Sequence, residues 1–222
     1  FEAIGELVEY LEGAYIIAED VNSTLADMAI VKRKTDHVAT VGGSGNPSPL
    51  TAYGVYCGIT TCVECRLGRK TLKGVTVAIQ GAGETGSRLA KRLYDDGCRI
   101  IAADINSDNL EKLARVIQFD RVEPDRIFDV RCDVFAPCAL GGVLNKETIP
   151  RLMCRIVAGS ANNQLADESS GRALHNRNIL YAPDYAINAG GVINIGCEIG
   201  QPYCRNTAYS KTAAISVTLR EI

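Results

Sequence analysis

A glycine-rich turn between two apolar runs constrains the fold of this chain more than any other feature. Its spacing is G-x-G-x-x-G, with glycines at three positions: Gly81, Gly83 and Gly86. The apolar run 75–79 leads into the turn, and a helical pattern over 87–93 leads out of it. A second apolar run, 98–103, then ends in Asp104. Strand, turn, helix, strand and acid is the order that a dinucleotide-binding unit requires.

Each glycine of the turn has a separate physical role. Gly81 permits a tight turn that a side chain would block. Gly83 lets the backbone approach a pyrophosphate closely, and Gly86 lets the helix pack against the strand. The helix N-terminus then offers free N–H groups and a positive dipole end to the phosphates. The alternative is a chance glycine loop, but the strand, the helix and the acid are all in place.

The charge of Asp104 favours NAD over NADP as the dinucleotide. Its carboxylate can accept hydrogen bonds from both ribose hydroxyls, whereas a 2′-phosphate would meet a like charge. Glu84 is unexpected inside the turn, next to where an anionic pyrophosphate would lie. We expect its side chain to point outward to solvent; the alternative is that it weakens binding.

Composition predicts a cytoplasmic protein and excludes several classes of partner. At 222 residues the chain is one large domain or one and a half small ones. The hydrophobic content of 46% and charged content of 23% are ordinary for a globular protein. A net charge of −2 indicates neither nucleic acid nor an anionic membrane as partner. We find no apolar run long enough to span a bilayer and no signal peptide.

The two ends of the sequence suggest a fragment. The chain begins without Met, inside an amphipathic helix predicted over residues 1–12. It ends within another helical pattern, near residue 222. The simplest interpretation is a chain cut at both ends.

Nine cysteines are many, but they do not indicate a metal site. Only Cys62 and Cys65 form a C-x-x-C pair, and no second pair or histidine cluster completes a zinc site. Most of the others lie in apolar runs, where a reduced cysteine behaves as a small hydrophobic residue. We therefore expect reduced thiols and no metal; the alternative is a redox protein that uses this pair.

Apolar runs and helical patterns alternate along most of the chain. Strands are predicted over 75–80, 98–103, 133–136, 155–158 and 178–181, with a short one over 15–18. Helices are predicted near 85–96, 107–117, 147–152 and 168–176, and from Thr51 onward. This alternation predicts an α/β fold, a Rossmann-like doubly wound parallel sheet with helices on both faces.

Small and amide-bearing residues follow three of the predicted strands. These loops span residues 136–142, 159–164 and 182–191. Ligands of such sheets bind beyond the carboxyl ends of the strands. Asn and Gln side chains both donate and accept hydrogen bonds, which suits a carboxamide or the polar end of an amino acid. Turn formation is the alternative explanation for each loop taken alone.

Several stretches carry a resemblance to a known family. They are Ile17–Val21, Ser44–Pro49, Thr51–Tyr56, Phe135–Gly141, Ala158–Leu165, Tyr181–Tyr185 and Ile187–Asn194. Over nearly its whole length the chain resembles the Glu/Leu/Phe/Val amino acid dehydrogenases, most closely the leucine dehydrogenase branch. The resemblance implies NAD-dependent oxidative deamination of an L-amino acid to a 2-oxo acid, with release of ammonia and formation of NADH.

The resemblance also implies roles for residues of the substrate site. Asp20 would be the catalytic acid that assists proton transfer around the imine step. Asn163 and Asn188 would lie at the nicotinamide and the polar end of the substrate. Val192 and Ile195 would line the side-chain pocket. Such an apolar pocket fits an aliphatic or aromatic side chain, leucine or valine above all, better than a carboxylate without a cationic partner.

The implied cofactor site begins with Thr51, which would hold the nicotinamide carboxamide. The other implied positions come from the glycine turn and from the strand ends beside it: Gly81, Gly83, Glu84, Thr85, Gly86, Asp104, Ile105, Cys138, Ala139, Ala161 and Asn163. Glu84 and Thr85 differ from the residues expected there.

The resemblance predicts three regions and a limit on activity. Residues 1–50 would be the end of the substrate domain and a hinge, with the glycine- and proline-rich run 41–49 as its last part. Residues 51–200 would be the NAD-binding domain, and 201–222 the start of a helical segment that returns to the substrate domain. The family's catalytic lysines lie upstream, so we expect this chain alone to bind NAD without turnover. The whole protein would be a homo-oligomer; the alternative is a non-catalytic NAD-binding or assembly protein derived from such an enzyme.

Overall fold

Six parallel strands form one sheet in the order β3-β2-β1-β4-β5-β6, which confirms the predicted fold class. This is the strand order of a doubly wound dinucleotide-binding sheet. The strands are β1 (Thr76–Gln80), β2 (Arg99–Ala103), β3 (Asp120–Arg121), β4 (Val134–Pro137), β5 (Ile156–Val157) and β6 (Leu180–Tyr181). This computed structural model describes residues 1–20, 23–41, 43–200 and 202–222. Of the residues named by the predictions above, Val21, Gly42 and Gln201 lie outside these ranges.

Helices cover both faces of the sheet, as the alternating pattern predicts. Those of the described chain are α1 (Glu2–Tyr10), α2 (Leu25–Lys32), α3 (Ser48–Leu67), α4 (Glu84–Asp95), α5 (Ser107–Ala114), α6 (Glu168–Asn176), α7 (Asp184–Ile187), α8 (Gly190–Gly196), α9 (Arg205–Ala213) and α10 (Ile215–Glu221). Side chains of α3, α4 and α5 fill the core on one face. The core on the other face contains α6 and two short 3₁₀ turns, Ile127–Asp129 and Ile149–Arg151.

The central strands have apolar residues on both faces because both faces are covered. Val77 and Ile79 of β1 point into the core with α3 and α4. Ala78, between them, belongs to the opposite core, where it joins Phe135 of β4. Continuous apolar runs are typical of such doubly covered parallel strands. The two cores hold β1 and β4 side by side, with their carboxyl ends at the same edge.

Three predicted elements differ from the structure. The strand predicted over 15–18 is reduced to a single bridge between Ile17 and Val38. The helix predicted over 147–152 is only the 3₁₀ turn Ile149–Arg151, because Pro150 lacks the N–H that a longer helix needs. α3 begins at Ser48 rather than Thr51, since proline is well accepted in a first helical turn.

The two ends of the chain pack differently. α1 packs against α2, and a small apolar cluster of Met28, Val31 and Val38 lies beside them. α9 and α10 pack along α3. No helix in the described ranges is long and apolar enough to cross a membrane.

Candidate active site

The glycine turn between β1 and α4 has the geometry that its spacing predicts. Gly81 adopts a φ of +95°, a conformation that residues with side chains rarely adopt. A Cβ on Gly86 would overlap the carbonyl oxygen of Gly81, so the helix touches the turn directly. No described atom lies within 4 Å of the position that a Cβ on Gly83 would take. Gly83 also caps α4, and no described side chain there accepts a hydrogen bond from the first N–H groups of the helix.

Asp104, at the end of β2, is tied to the glycine turn. Its Oδ2 atom accepts hydrogen bonds from the backbone N–H of Ala82 at 2.6 Å and from Nδ2 of Asn109 at 3.2 Å. Its Oδ1 atom accepts one from the N–H of Asn106 at 2.8 Å. A carboxylate has about four acceptor positions, so one remains for a ligand hydroxyl. Ile105, the next residue, is 92% exposed.

Glu84, the first residue of α4, is exposed and paired within its own helix. The side chain is 66% exposed, as its predicted outward position requires, and Arg88 Nη2 donates to its Oε2 at 2.9 Å. An acidic residue is favoured in the first turn of a helix by the helix dipole. The ion pair offsets the negative charge that Glu84 brings to the turn. Thr85, which follows it, is half-buried.

The loops after β4 and β5 close on the glycine turn at the point where the strand order reverses. Cys138 N–H donates to the carbonyl of Gln80 at 2.7 Å. Ala139 lies so close that its Cβ would be 2.9 Å from a Cβ on Gly81. Ala161 N–H donates to the carbonyl of Pro137 at 3.0 Å. The structure therefore brings together the turn, Cys138, Ala139 and Ala161, at the edge where doubly wound sheets bind ligands.

The amide-bearing loops meet, but through a residue that the sequence interpretation did not select. Asn188 Nδ2 donates to Oδ1 of Asn162 at 2.6 Å and to the carbonyl of Ser160 at 3.3 Å. Asn163 is exposed and has a left-handed φ of +50°. Its carbonyl accepts a hydrogen bond from Gly142 N–H at 2.7 Å. Asn162 is thus the direct partner of Asn188, while the Asn163 side chain faces solvent at the cleft.

Thr51 and the predicted pocket residues lie on two helices in close contact. A Cβ on Gly191 of α8 would be only 2.7 Å from Oγ1 of Thr51. The Thr51 hydroxyl donates to the carbonyl of Pro47 at 3.2 Å. Val192 and Ile195 are three residues apart on α8 and so share one face of it. Val192 is 74% exposed, and Ile195 is half-buried.

The segment that carries Asp20 follows the bridge between Ile17 and Val38. Asp20 is exposed, and its backbone N–H donates to Oγ of Ser23 at 2.9 Å. Burial raises the pKa of the neighbouring Glu19 carboxyl above its usual range, and the negative charge of Glu84 raises it further. Because Glu84 begins α4, this repulsion means that Glu19 lies near the start of that helix.

A groove of about 730 Å³ opens beside the turn. Gly83 and Ser87 line it from α4, and Pro49 lines it from the start of α3. It also contains five basic side chains: Arg88, Lys91, Arg92, Lys112 and Arg205. Two acids, Glu84 and Asp95, also line the groove and pair with Arg88 and Lys91. The remaining excess of positive charge near the start of α4 suits an anion such as a phosphate.

The environment of the C-x-x-C pair does not favour a redox role. Both cysteines are on α3; Cys62 is buried and Cys65 is exposed. Burial, with a smaller contribution from Cys65, raises the pKa of the Cys62 thiol to about 12. Since the thiolate is the reactive form, this environment disfavours disulfide exchange. Cys62 is better explained as part of the apolar core on which α3 packs.

Known proteins resemble the chain over nearly its whole length. A family model of Glutamate/Leucine/Phenylalanine/Valine dehydrogenase matches residues 106–217. Leucine dehydrogenase of Thermoactinomyces intermedius is 47% identical over 219 residues, which cover 97% of this chain and 60% of that relative. Leucine dehydrogenase of Bacillus cereus is 42% identical over 226 residues, covering 100% and 62%. The chain therefore spans roughly three fifths of the length of these curated relatives.

A solved structure shares the fold as well as the sequence. L-tryptophan dehydrogenase from Nostoc punctiforme superposes with a TM-score of 0.83 at 40% identity, over 98% of this chain and 63% of that one. By the family match, the identities and the common fold, the chain belongs to the glutamate/leucine/phenylalanine/valine dehydrogenase family.

Proposed function

We propose that the cleft binds NAD, with the pyrophosphate at the glycine turn. The observation that carries this proposal is the combination of open space at Gly83, close contact at Gly86 and a carboxylate at Asp104 with one acceptor position left. Backbone N–H groups at the start of α4 would bind the phosphates, and Asp104 would accept a ribose hydroxyl. The residues present fit this cofactor, and the like charge of Asp104 disfavours a 2′-phosphate.

As part of the whole protein, the chain would serve in the oxidative deamination of an aliphatic or aromatic L-amino acid, leucine or valine above all. The bound nicotinamide would supply the hydride acceptor. Thr51 would orient the carboxamide of the nicotinamide. Asn163 and Asn188 would lie at the nicotinamide and at the polar end of the substrate. Asp20 would move a proton at the substrate nitrogen around the imine step. These roles rest on the family to which the chain belongs.

The substrate class follows from the side chains of α8. Val192 and Ile195 present apolar surface and no cation, so an apolar side chain can be buried there while a carboxylate would lose its hydration without compensation. The named relatives act on leucine and on tryptophan, which are both apolar in their side chains. One methylene changes discrimination by only about 1–3 kcal/mol, which makes leucine and valine close competitors.

The organisation of the whole protein is proposed on the same basis. Residues 1–50 would complete a substrate domain, 51–200 would form the NAD-binding domain, and 201–222 would begin a returning helical segment. We propose a cytoplasmic homo-oligomer, supported by the exposed apolar side chains of α1, among them Ile4, Leu7 and Tyr10. Light scattering on the whole protein tests the assembly, and a monomer at micromolar concentration would contradict it.

The deciding experiment compares the full-length protein with the 222-residue chain. Calorimetry with NAD should detect one site on either, and the full-length protein should form NADH from leucine, valine, phenylalanine or tryptophan. The chain alone should bind NAD without turnover, since the family's catalytic lysines lie upstream of the matching region. Binding without turnover by the full-length protein would favour a non-catalytic derivative, and no binding by either protein would refute the proposal.

A further inference from the structure

Glu198, just after α8, connects the cleft to the part of the chain that carries Asp20. Its Oε1 atom accepts a hydrogen bond from the backbone N–H of Thr40 at 2.6 Å. Its Oε2 atom accepts a second one from the N–H of Ser44. The two acceptors are more than 150 positions away along the chain from the donors. One carboxylate thus closes a long-range connection at two points.

Within the part of the chain that the structure describes, Thr40 and Ser44, which Glu198 binds, are not held by hydrogen bonds of their own side chains. Thr40 has a φ of +76°, which is costly for a residue with a branched side chain. The hydroxyls of Thr40 and Ser44 are buried, and neither has a hydrogen-bond partner among the described residues. The two backbone bonds to Glu198 therefore stabilise a conformation that the local side chains do not.

The same segment continues directly to the predicted catalytic region. Ala39 N–H donates to the carbonyl of Ile17 at 2.8 Å, and Ile17 N–H donates to the carbonyl of His37 at 3.1 Å. This bridge begins three residues before Asp20. A movement of Thr40 is therefore transmitted through two backbone hydrogen bonds to the segment that ends in Asp20.

On the other side, α8 is itself well fixed. Asn194 is fully buried, accepts a hydrogen bond from the Tyr203 hydroxyl at 2.7 Å and donates to the carbonyl of Ser44 at 3.4 Å. The helix that precedes Glu198 carries Val192 and Ile195. Glu198 therefore lies between α8, which carries the predicted pocket residues, and the segment that leads to Asp20.

We propose that Glu198 is a positioning residue, which holds the backbone of Thr40 and Ser44 against α8 and thereby sets Asp20 relative to the substrate pocket. The importance of Glu198 for catalysis rests on the proposed function. The connection itself does not, and it can be measured in the chain without turnover.

Gly43 offers an independent way to break the connection. A Cβ at this position would overlap the carboxylate of Glu198, while its φ lies outside the left-handed region, so alanine is allowed by the backbone. Gly43→Ala should displace Glu198 and release both amides. In a Glu198→Ala background the same substitution meets no carboxylate and should have little effect. This non-additivity distinguishes a direct contact from two separate losses of stability.

Hydrogen exchange on the 222-residue chain measures the connection. Glu198→Ala and Gly43→Ala should each speed exchange of the Thr40 and Ser44 amides by about tenfold or more, because each removes hydrogen bonds to a charged acceptor. The Ile17 and Ala39 amides should follow, while those of β1 should not change. Glu198→Gln, which keeps one acceptor oxygen, should restore protection of one of the two amides. Glu123→Gln, an exposed acid without such bonds, is the matched control.

Additive effects of Gly43→Ala and Glu198→Ala, or unchanged exchange at Thr40 and Ser44, would overturn the proposal. In the full-length protein, Glu198→Ala should lower kcat by about 10- to 100-fold through misplacement of the acid, with the KM for NAD within about twofold. An unchanged kcat would also contradict it. If the unsubstituted full-length protein shows no turnover, the proposed function fails, while the exchange measurement still decides whether Glu198 holds this segment.

Discussion

Replacing Asp104 by asparagine separates the two roles of this carboxylate, which are to bind the backbone of the glycine turn and to place a negative charge beside the ribose. Asparagine keeps the shape of the side chain and one acceptor oxygen, but it removes the negative charge. Asp104 accepts three hydrogen bonds, from Ala82, Asn106 and Asn109. Bonds to a charged acceptor contribute about 1.5–3 kcal/mol and neutral ones about 0.5–1.5 kcal/mol. We therefore expect the substitution to cost about 1–2 kcal/mol of folding stability, measured by urea unfolding.

The larger effect concerns the choice between NAD and NADP. Two like charges about 4 Å apart repel by roughly 4 kcal/mol near a protein surface, which corresponds to about a thousandfold in affinity. Removing the charge should therefore strengthen NADP binding by up to about this factor. NAD should bind about tenfold more weakly, because its ribose hydroxyl loses a charged acceptor. The ratio of the NADP to the NAD dissociation constant should therefore fall by up to about four orders of magnitude.

Isothermal titration of both dinucleotides into the 222-residue chain measures this ratio. Asp108→Asn is the matched control, since Asp108 is an exposed acid in the first turn of α5. Salt should reduce the difference between NAD and NADP in the unsubstituted chain, because screening weakens the repulsion. A ratio of dissociation constants that Asp104→Asn leaves unchanged would show that the carboxylate does not face the ribose.

Three further predictions follow from the site. Gly86→Ala should lower the free energy of unfolding by about 1–3 kcal/mol, since its Cβ overlaps the Gly81 carbonyl. Gly83→Ala should leave urea unfolding almost unchanged yet weaken NAD binding at least tenfold. Equal free energies of unfolding for the Gly86→Ala and Gly83→Ala variants would contradict this. The raised pKa of Glu19 means that stability is lost as pH rises through that pKa; Glu19→Gln should flatten the pH dependence of the unfolding midpoint, and parallel curves for the two proteins would argue against it. Val192→Ala should shift the kcat/KM of the full-length protein from leucine toward larger side chains by about tenfold, and an unchanged preference would remove Val192 from the pocket.

Most of the sheet and the glycine turn could be predicted because their causes are local. The apolar runs before and after the turn are long enough to identify β1 and β2 within a residue of their observed ends. β3 was not predicted, because Asp120 and Arg121 are charged and exposed. Those two residues pair with β2 through the backbone and through an ion pair between Arg99 and Asp120, and no local sequence pattern marks such a strand.

The candidate site could be predicted where a sequence motif fixes the local geometry. It could not be predicted where the contacts join residues that lie far apart in the sequence. The roles of Gly81 and Gly86 follow from their spacing. Asn162 was missed because two adjacent asparagines carry the same signal, and only the folded loop shows which of them reaches Asn188. Glu198 was missed because its partners lie far away in sequence, and the residues around it form no recognisable motif.

The affinity of the 222-residue chain for NAD tests the central claim most directly. We expect calorimetric titration to show one NAD site per chain, with weaker binding of NADP, and loss of most of the affinity in Gly83→Ala although that variant unfolds normally. No detectable binding of NAD by the folded chain, or equal binding by Gly83→Ala, would contradict the assignment of the glycine turn as a cofactor site.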